Sequence, residues 1–122
     1  MPETPSFDLS KAIKLKNVVF NYRRSSIQWV TTTIKTIKSK NLQQIVIFSD
    51  TWNAILGQVR EAAVRQEWQD LDYLLLNLWT SHSVRPVLMY RREHGADNAR
   101  GAAQMLLPDM TRRGIIYVDS YG

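Results

Sequence analysis

Charged side chains follow several short apolar segments of this chain, and their types and positions could support chemistry. Asp50, Glu93 and Asp119 supply carboxylates directly after such segments. The pairs Arg23-Arg24 and Arg91-Arg92 supply guanidinium groups at similar positions. If the segments are parallel strands, their carboxyl ends share one edge of a sheet, where an acid–base or phosphate site is conceivable.

Exposed loops at strand ends are polar for ordinary reasons of solvation, and we favour that interpretation over catalysis. The same residues could instead form a surface that contacts a partner. Trp52 joins this set because its place in the fold is open, so it could be an exposed anchor of an interface. The candidate partner-binding residues are therefore Arg23, Arg24, Asp50, Trp52, Arg91, Arg92, Glu93 and Asp119.

Other catalytic and ligand-binding patterns are missing from the sequence. The five glycines do not form a phosphate-binding loop. Ser81 and Ser83 flank His82, but neighbours in sequence do not make a catalytic triad. His94 with Asp97 offers too few ligands for a metal. We expect a protein that is not an enzyme and that uses no cofactor and no metal.

The elements that must position these residues form a repeat. Four apolar segments are centred on Val18, Val46, Leu88 and Ile116, and the first and last intervals are both 28 residues. We predict strands at residues 15–21, 44–48, 86–91 and 115–118. One strand and one helix per unit of this length is typical of a leucine-rich-repeat array.

Helical spacing is clearest in two regions. Ile27, Val30, Ile34 and Ile37 form one stripe in a helix that we predict to begin with a Ser25–Gln28 capping box and to end near Asn41. Residues 52–82 predict two helices or one bent helix, with the change near Gln66-Glu67. The second half has one apolar face, formed by Trp68, Leu71, Leu74, Leu75, Leu78 and Trp79. Residues 96–104 could be a loop or a short helix.

These patterns predict an α/β fold: a short solenoid segment like a leucine-rich repeat, with about four mainly parallel strands and helices on one side. We expect residues 1–10 to be a flexible lead-in, from which Phe7 and Leu9 could dock on the core, and residues 11–122 to be a single domain. The first strand has apolar residues on both faces, which predicts a strand covered on both sides. Its outer edge predicts a homodimer, or an edge covered by the N-terminal segment.

The composition of the chain indicates its cellular compartment. The chain has no cysteine, so disulfides and cysteine-rich zinc sites are excluded. Its polar N-terminus does not look like a signal peptide, and its longest apolar run is too short to cross a bilayer. We expect a cytoplasmic or nuclear protein with no membrane contact.

The net charge of +5 allows weak contact with nucleic acid. Acidic and basic residues are mixed, however, and no basic run exceeds two residues. We interpret the charge as a solvated surface, so a nucleic-acid partner is possible but not favoured.

Two stretches resemble a known family. Residues 68–75, then Leu107-Pro108, then residues 113–118 resemble the C-terminal end of F-box/leucine-rich-repeat-like proteins of mushroom-forming fungi. Residues 29–45 look like the preceding repeat of those proteins, and the likeness covers residues 10–119. No F-box segment is present in the sequence. The resemblance implies a protein-binding scaffold like a substrate-recognition array, and it supplies no catalytic residues.

Overall fold

One parallel sheet organises the molecule. The computed structural model describes residues 8–22, 26–58 and 60–121. Within them, four strands are paired in the order β1-β2-β3-β4, and every pair is parallel. The sheet is open, consistent with a short solenoid-like segment, and the prediction of an α/β fold is confirmed. The strands are β1 (Asn17–Asn21), β2 (Gln44–Phe48), β3 (Arg85–Arg91) and β4 (Tyr117–Tyr121).

Helices connect the strands. The region 52–82 forms two helices, one of the two predicted forms; the first ends at Gln58 and the second begins at Ala62 and not near Gln66. The segment after β3 is helical. The helices are α1 (Gln28–Lys35), α2 (Trp52–Gln58), α3 (Ala62–His82), α4 (Asp97–Leu106) and α5 (Pro108–Arg112), with a 3₁₀ turn at Arg92–His94.

The core lies between the helices and one face of the sheet. Because side chains alternate along a strand, Phe20, Ile47 and Leu88 point to the same side and are buried together with the helix stripes. The predicted stripes of α1 and α3 supply much of this core, including Val30 and Leu71, both fully buried. Burying each such side chain stabilises the fold by roughly 1.5–3 kcal/mol. The prediction that helices pack on one side is confirmed for the described residues.

Two local predictions differ from the structure. Strand β1 is not covered on both sides, since Val19 is 63% exposed. Helix α1 ends at Lys35, well before Asn41. The first backbone amide of α1, at Gln28, donates a hydrogen bond to Ser26 Oγ at 3.1 Å. The predicted cap at Ser25 and the predicted docking of Phe7 on the core lie outside the described residues.

The last strand begins later than its apolar residues predict. Gly114 has a φ of +68°, a conformation that favours glycine, and it turns the chain out of α5. The Ile115 amide then donates to the Met110 carbonyl at 3.1 Å, which keeps Ile115 in that turn. Strand β4 therefore runs over Tyr117–Tyr121 and not over residues 115–118.

Candidate partner-binding site

A tight turn fixes Asp50 at the carboxyl edge of the sheet. The side chain of Ser49 is buried, and its Oγ accepts a hydrogen bond from the Thr51 amide at 3.1 Å. The Ser49 amide donates to the Met89 carbonyl of β3 at 3.2 Å. These bonds join the ends of β2 and β3. They leave the half-buried Asp50 carboxylate without a hydrogen bond or ion pair in the described part of the chain.

A pocket of about 420 Å³ lies at this edge, and it gathers three of the predicted site residues: Asp50, Trp52 and Arg91. His94 also reaches the pocket, from the 3₁₀ turn after β3. Donors and acceptors of both charge types therefore surround a space large enough for a polar side chain or a small molecule. The remaining lining residues are Ser49, Asn53, Tyr90, Gly95 and Asn98.

The pocket residues are not linked as a catalytic relay. Ser49 Oγ lies 3.1 Å from Thr51 Oγ1, and the imidazole of His94 lies 3.8 Å from the Glu93 carboxylate. Among the described residues, no hydrogen bond joins His94 to Ser49 or Asp50. The arrangement can hold a polar group by hydrogen bonds and charge.

Trp52 is not the exposed anchor that we considered. Only 3% of it is exposed, and its indole Nε1 donates to the Met89 carbonyl at 3.0 Å. The ring packs 6.4 Å from that of Trp68 in the core. Trp52 thus forms a wall of the pocket and connects α2 to β3.

A second hollow, of about 560 Å³, adjoins the first and shares Arg91 with it. Its other lining residues are Arg92, Glu93 and Tyr121. Arg91 Nη1 lies 3.3 Å from Glu93 Oε1, and both side chains are at least half exposed. An ion pair this exposed adds little stability, so both groups are available to a partner.

Asp119 does not follow a strand as predicted, because β4 continues through it. Its side chain is exposed on the sheet, and its Oδ1 accepts a hydrogen bond from the Ser120 amide at 2.8 Å. In register it lies beside Met89, which lies beside Phe48. The candidates Arg23 and Arg24 lie outside the described residues.

The sheet face opposite the helices was missed from the sequence. We call it the open face: it contains Val19, Val46, Val87 and Tyr117 in one row, Asn21, Phe48, Met89 and Asp119 in the next, and Tyr121 beside Arg91. Tyr117 and Tyr121 are 51% and 56% exposed, whereas Val46 and Val87, at the centre of the face, are buried. The Phe48 and Tyr121 rings meet edge to face across β3, with centroids 5.2 Å apart.

The open face and the carboxyl edge form one continuous surface. Arg91 belongs to both, since it lies on the open face and lines both hollows. None of the described helices contributes to the open face, because their buried residues belong to the core on the other side. The sequence feature that could have revealed the open face is the alternation along β4, in which Tyr117, Asp119 and Tyr121 share one face.

Two titratable groups with shifted pKa values lie in the core and not in this surface. Burial, with a smaller effect of the Glu67 charge, raises the pKa of Tyr22 to about 12. Burial also raises the pKa of Asp72, against the opposing effect of hydrogen bonds from the Asp109 and Met110 amides. Both groups therefore have structural roles.

In the ranges that the structure describes, no three His, Asp or Glu side chains gather as a metal site. None of the described helices is long and apolar enough to cross a membrane. Comparisons with protein-family models, with curated proteins and with solved structures find no match for this chain.

Proposed function

We propose that this chain is a non-enzymatic protein-interaction module that binds a partner protein through its open face. The observation that carries the proposal is the exposure of Tyr117 and Tyr121, which share one face of β4 outside the helical core. Large exposed apolar side chains that lie together, with polar neighbours around them, are typical of protein-binding surfaces.

The residue types of this surface support the proposal. Tyrosine, phenylalanine, methionine and arginine are enriched in the centres of protein interfaces, and the open face has all four. Charged groups lie at its margin: Arg91, Arg92, Glu93 and Asp119. A partner could bury the aromatic centre while the margin provides hydrogen bonds and orientation.

The family resemblance is consistent with this role and belongs to the same proposal. In repeat arrays the open face of the sheet forms an extended binding surface. A chain like the recognition array of an F-box/leucine-rich-repeat protein would use that face to select its partner. We propose that it does so in the cytoplasm or nucleus.

Removing the two exposed tyrosines of β4 should abolish partner binding without unfolding the protein. We expect the double variant Tyr117→Ser/Tyr121→Ser to capture at most a tenth of the amount of specific partner that the wild type captures. Each aromatic anchor of an interface contributes about 2 kcal/mol or more to the binding free energy. The measurement is quantitative mass spectrometry of proteins cross-linked to the immobilised wild type and variants in lysate of the source cells.

Tyr73→Ser is the matched control, because Tyr73 is at least as exposed but lies on α3, on the helical side. The control should retain the same partner as the wild type. The proposal is wrong if every protein captured by the wild type is captured equally by the double variant.

The outer edge of β1 supports a second part of the proposal, a homodimer. The Tyr22 amide bonds back to β2 at the Phe48 carbonyl, at 2.7 Å. By alternation the Val19 amide points away from β2, where a second copy could pair. We expect Val19→Pro, which removes that donor, to convert a dimer into a folded monomer in light scattering, whereas Val19→Thr stays dimeric. A wild-type monomer at all concentrations would contradict this part.

A further inference from the structure

Acidic and basic residues are not mixed evenly along the chain, in contrast to our first interpretation of its charge. Residues 1–49 contain eight of the sixteen basic residues but only two of the eleven acidic ones. The remaining chain has nine acidic and eight basic residues, so the whole net charge comes from the first 49 residues. All six lysines lie between positions 11 and 40.

The structure brings these lysines together at the amino edge of the sheet. The Leu9 amide donates to Thr36 Oγ1 at 2.8 Å, and Ser39 Oγ donates to the Leu15 carbonyl at 2.7 Å. These bonds hold the segment before β1 against the end of α1. Each segment has three of the lysines: Lys11, Lys14 and Lys16 in the first, and Lys35, Lys38 and Lys40 in the second.

Arg85 lies at the same edge of the sheet but on its other face. The Lys16 carbonyl accepts a hydrogen bond from the Gln43 amide at 2.7 Å, and the Gln43 carbonyl accepts one from the Arg85 amide at 2.9 Å. Backbone bonds therefore join the starts of the first three strands. By alternation the Arg85 side chain lies with that of Val87 on the open face, whereas Lys16 alternates with Asn17 and lies on the side of the helices. We call the six lysines the lysine surface: Lys11, Lys14, Lys16, Lys35, Lys38 and Lys40.

The lysine surface is exposed and only slightly neutralised. All six side chains are exposed, and none forms an ion pair within 4 Å with another described residue. Asp8 is the single acidic residue described before position 50; hydrogen bonds from Ser10, and to a smaller extent the charge of Lys38, lower its pKa. Six cations at one edge of the sheet repel one another, and a polyanion would relieve that repulsion.

We propose that the lysine surface binds the phosphate backbone of a nucleic-acid duplex without reading its sequence. Amide side chains lie among the cations, at the exposed Asn41 and Gln43, and such groups commonly donate to phosphates beside lysine. Residues 8–16 and 35–44 contain no aromatic ring on which an unpaired base could stack, so a duplex fits better than a single strand.

A membrane surface fits this site less well. In the described part of the lysine surface, Ile13 is the one large apolar side chain that is prominently exposed. A bilayer could therefore bury little apolar surface at this site, and electrostatic attraction alone gives weak and reversible membrane binding. The lysine surface lies at the opposite edge of the sheet from the pocket, so this inference does not depend on the proposed protein partner.

The test is fluorescence anisotropy of a short labelled duplex at several salt concentrations. If about six phosphates are contacted, affinity should fall about a thousandfold between about 50 and 200 mM salt. The variant Lys35→Gln/Lys38→Gln/Lys40→Gln should lower the slope of log affinity against log salt by about 3 and weaken binding at least tenfold. A duplex of unrelated sequence should bind equally well.

The matched control removes the same charge elsewhere. Arg60, Arg65 and Arg100 are exposed on the helical side, so Arg60→Gln/Arg65→Gln/Arg100→Gln changes the net charge equally and should bind nearly as the wild type. Equal weakening by the two triple variants would overturn the proposal, since it would show an effect of net charge alone. Tighter binding to phosphatidylserine vesicles or to polyglutamate than to the duplex would also overturn it.

Discussion

Replacing Asp72 with alanine is expected to lower the free energy of unfolding by about 3 kcal/mol. Asp72 lies on α3 and is only 3% exposed. Its Oδ2 accepts a hydrogen bond from the Asp109 amide at 3.0 Å, and its Oδ1 accepts one from the Met110 amide at 3.3 Å. Alanine would leave both amides of α5 without this partner, at about 1–3 kcal/mol each.

The measurement is urea unfolding followed by circular dichroism. Asp70→Ala is the control, because Asp70 lies on the same helix but is exposed and bonds to Gln66 Nε2 at 3.0 Å. Its loss should change stability by no more than about 0.5 kcal/mol. Equal effects of the two substitutions would show that Asp72 does not hold α5 in place.

The pH dependence gives a second readout of the same site. Burial raises the pKa of Asp72 above its unfolded value, so the folded state holds its proton more tightly than the unfolded state. This residue's contribution to stability is therefore fully present below the unfolded pKa, and it falls as the pH rises through the folded pKa. Relative to Asp72→Asn, which cannot titrate, the wild type should gain stability as the pH is lowered from 7 to about 4.

The role of Asp72 shows what local pattern cannot reveal. Its partners are 37 and 38 residues further along the chain, so no periodicity in α3 marks it as buried. The neighbouring Leu71 and Trp68, by contrast, are buried as their helical spacing predicts. Apolar spacing predicts which face of a helix packs, but a polar residue inside that face depends on a tertiary partner.

The bounds of a strand were predicted correctly where polar residues mark both of its ends. Strand β2 runs over Gln44–Phe48 as predicted, because it is an apolar run with polar neighbours on both sides. Strand β4 was misplaced, because Ile115 and Ile116 look like strand residues although a backbone bond holds Ile115 in a turn. The same ambiguity hid the open face, since a segment that is apolar on both faces does not show which face meets the helices.

The candidate site was predicted in part. The carboxyl edge does gather Asp50, Arg91 and Glu93 around two adjoining hollows, because parallel strands end together. Trp52 could not be placed from the sequence, since one tryptophan at a helix start fits a core and a surface equally. The lysine surface was readable in principle, but it emerges only when residue type and position are compared along the whole chain.

Replacing Trp68 with alanine should lower the free energy of unfolding by about 3–5 kcal/mol, as expected for a large buried aromatic side chain. Trp68 is fully buried, and its ring packs edge to face against Tyr22 at 5.5 Å and lies 6.4 Å from Trp52. Alanine would open a cavity between α3, α2 and the end of β1. Urea unfolding measures the loss.

The two neighbouring tryptophans should respond differently to phenylalanine. In the described part of the chain, Trp68 Nε1 has no hydrogen-bond partner, whereas Trp52 Nε1 donates to the Met89 carbonyl at 3.0 Å. Trp68→Phe removes a donor that folding leaves unsatisfied, which offsets part of the lost packing, so we expect a cost below about 1 kcal/mol. Trp52→Phe loses a hydrogen bond as well as volume and should cost about 1 kcal/mol more. Equal losses of unfolding free energy for Trp68→Phe and Trp68→Ala would contradict this prediction. That result would show that the Trp68 indole N–H bonds to a buried water and that the ring stabilises the fold more by this bond than by packing.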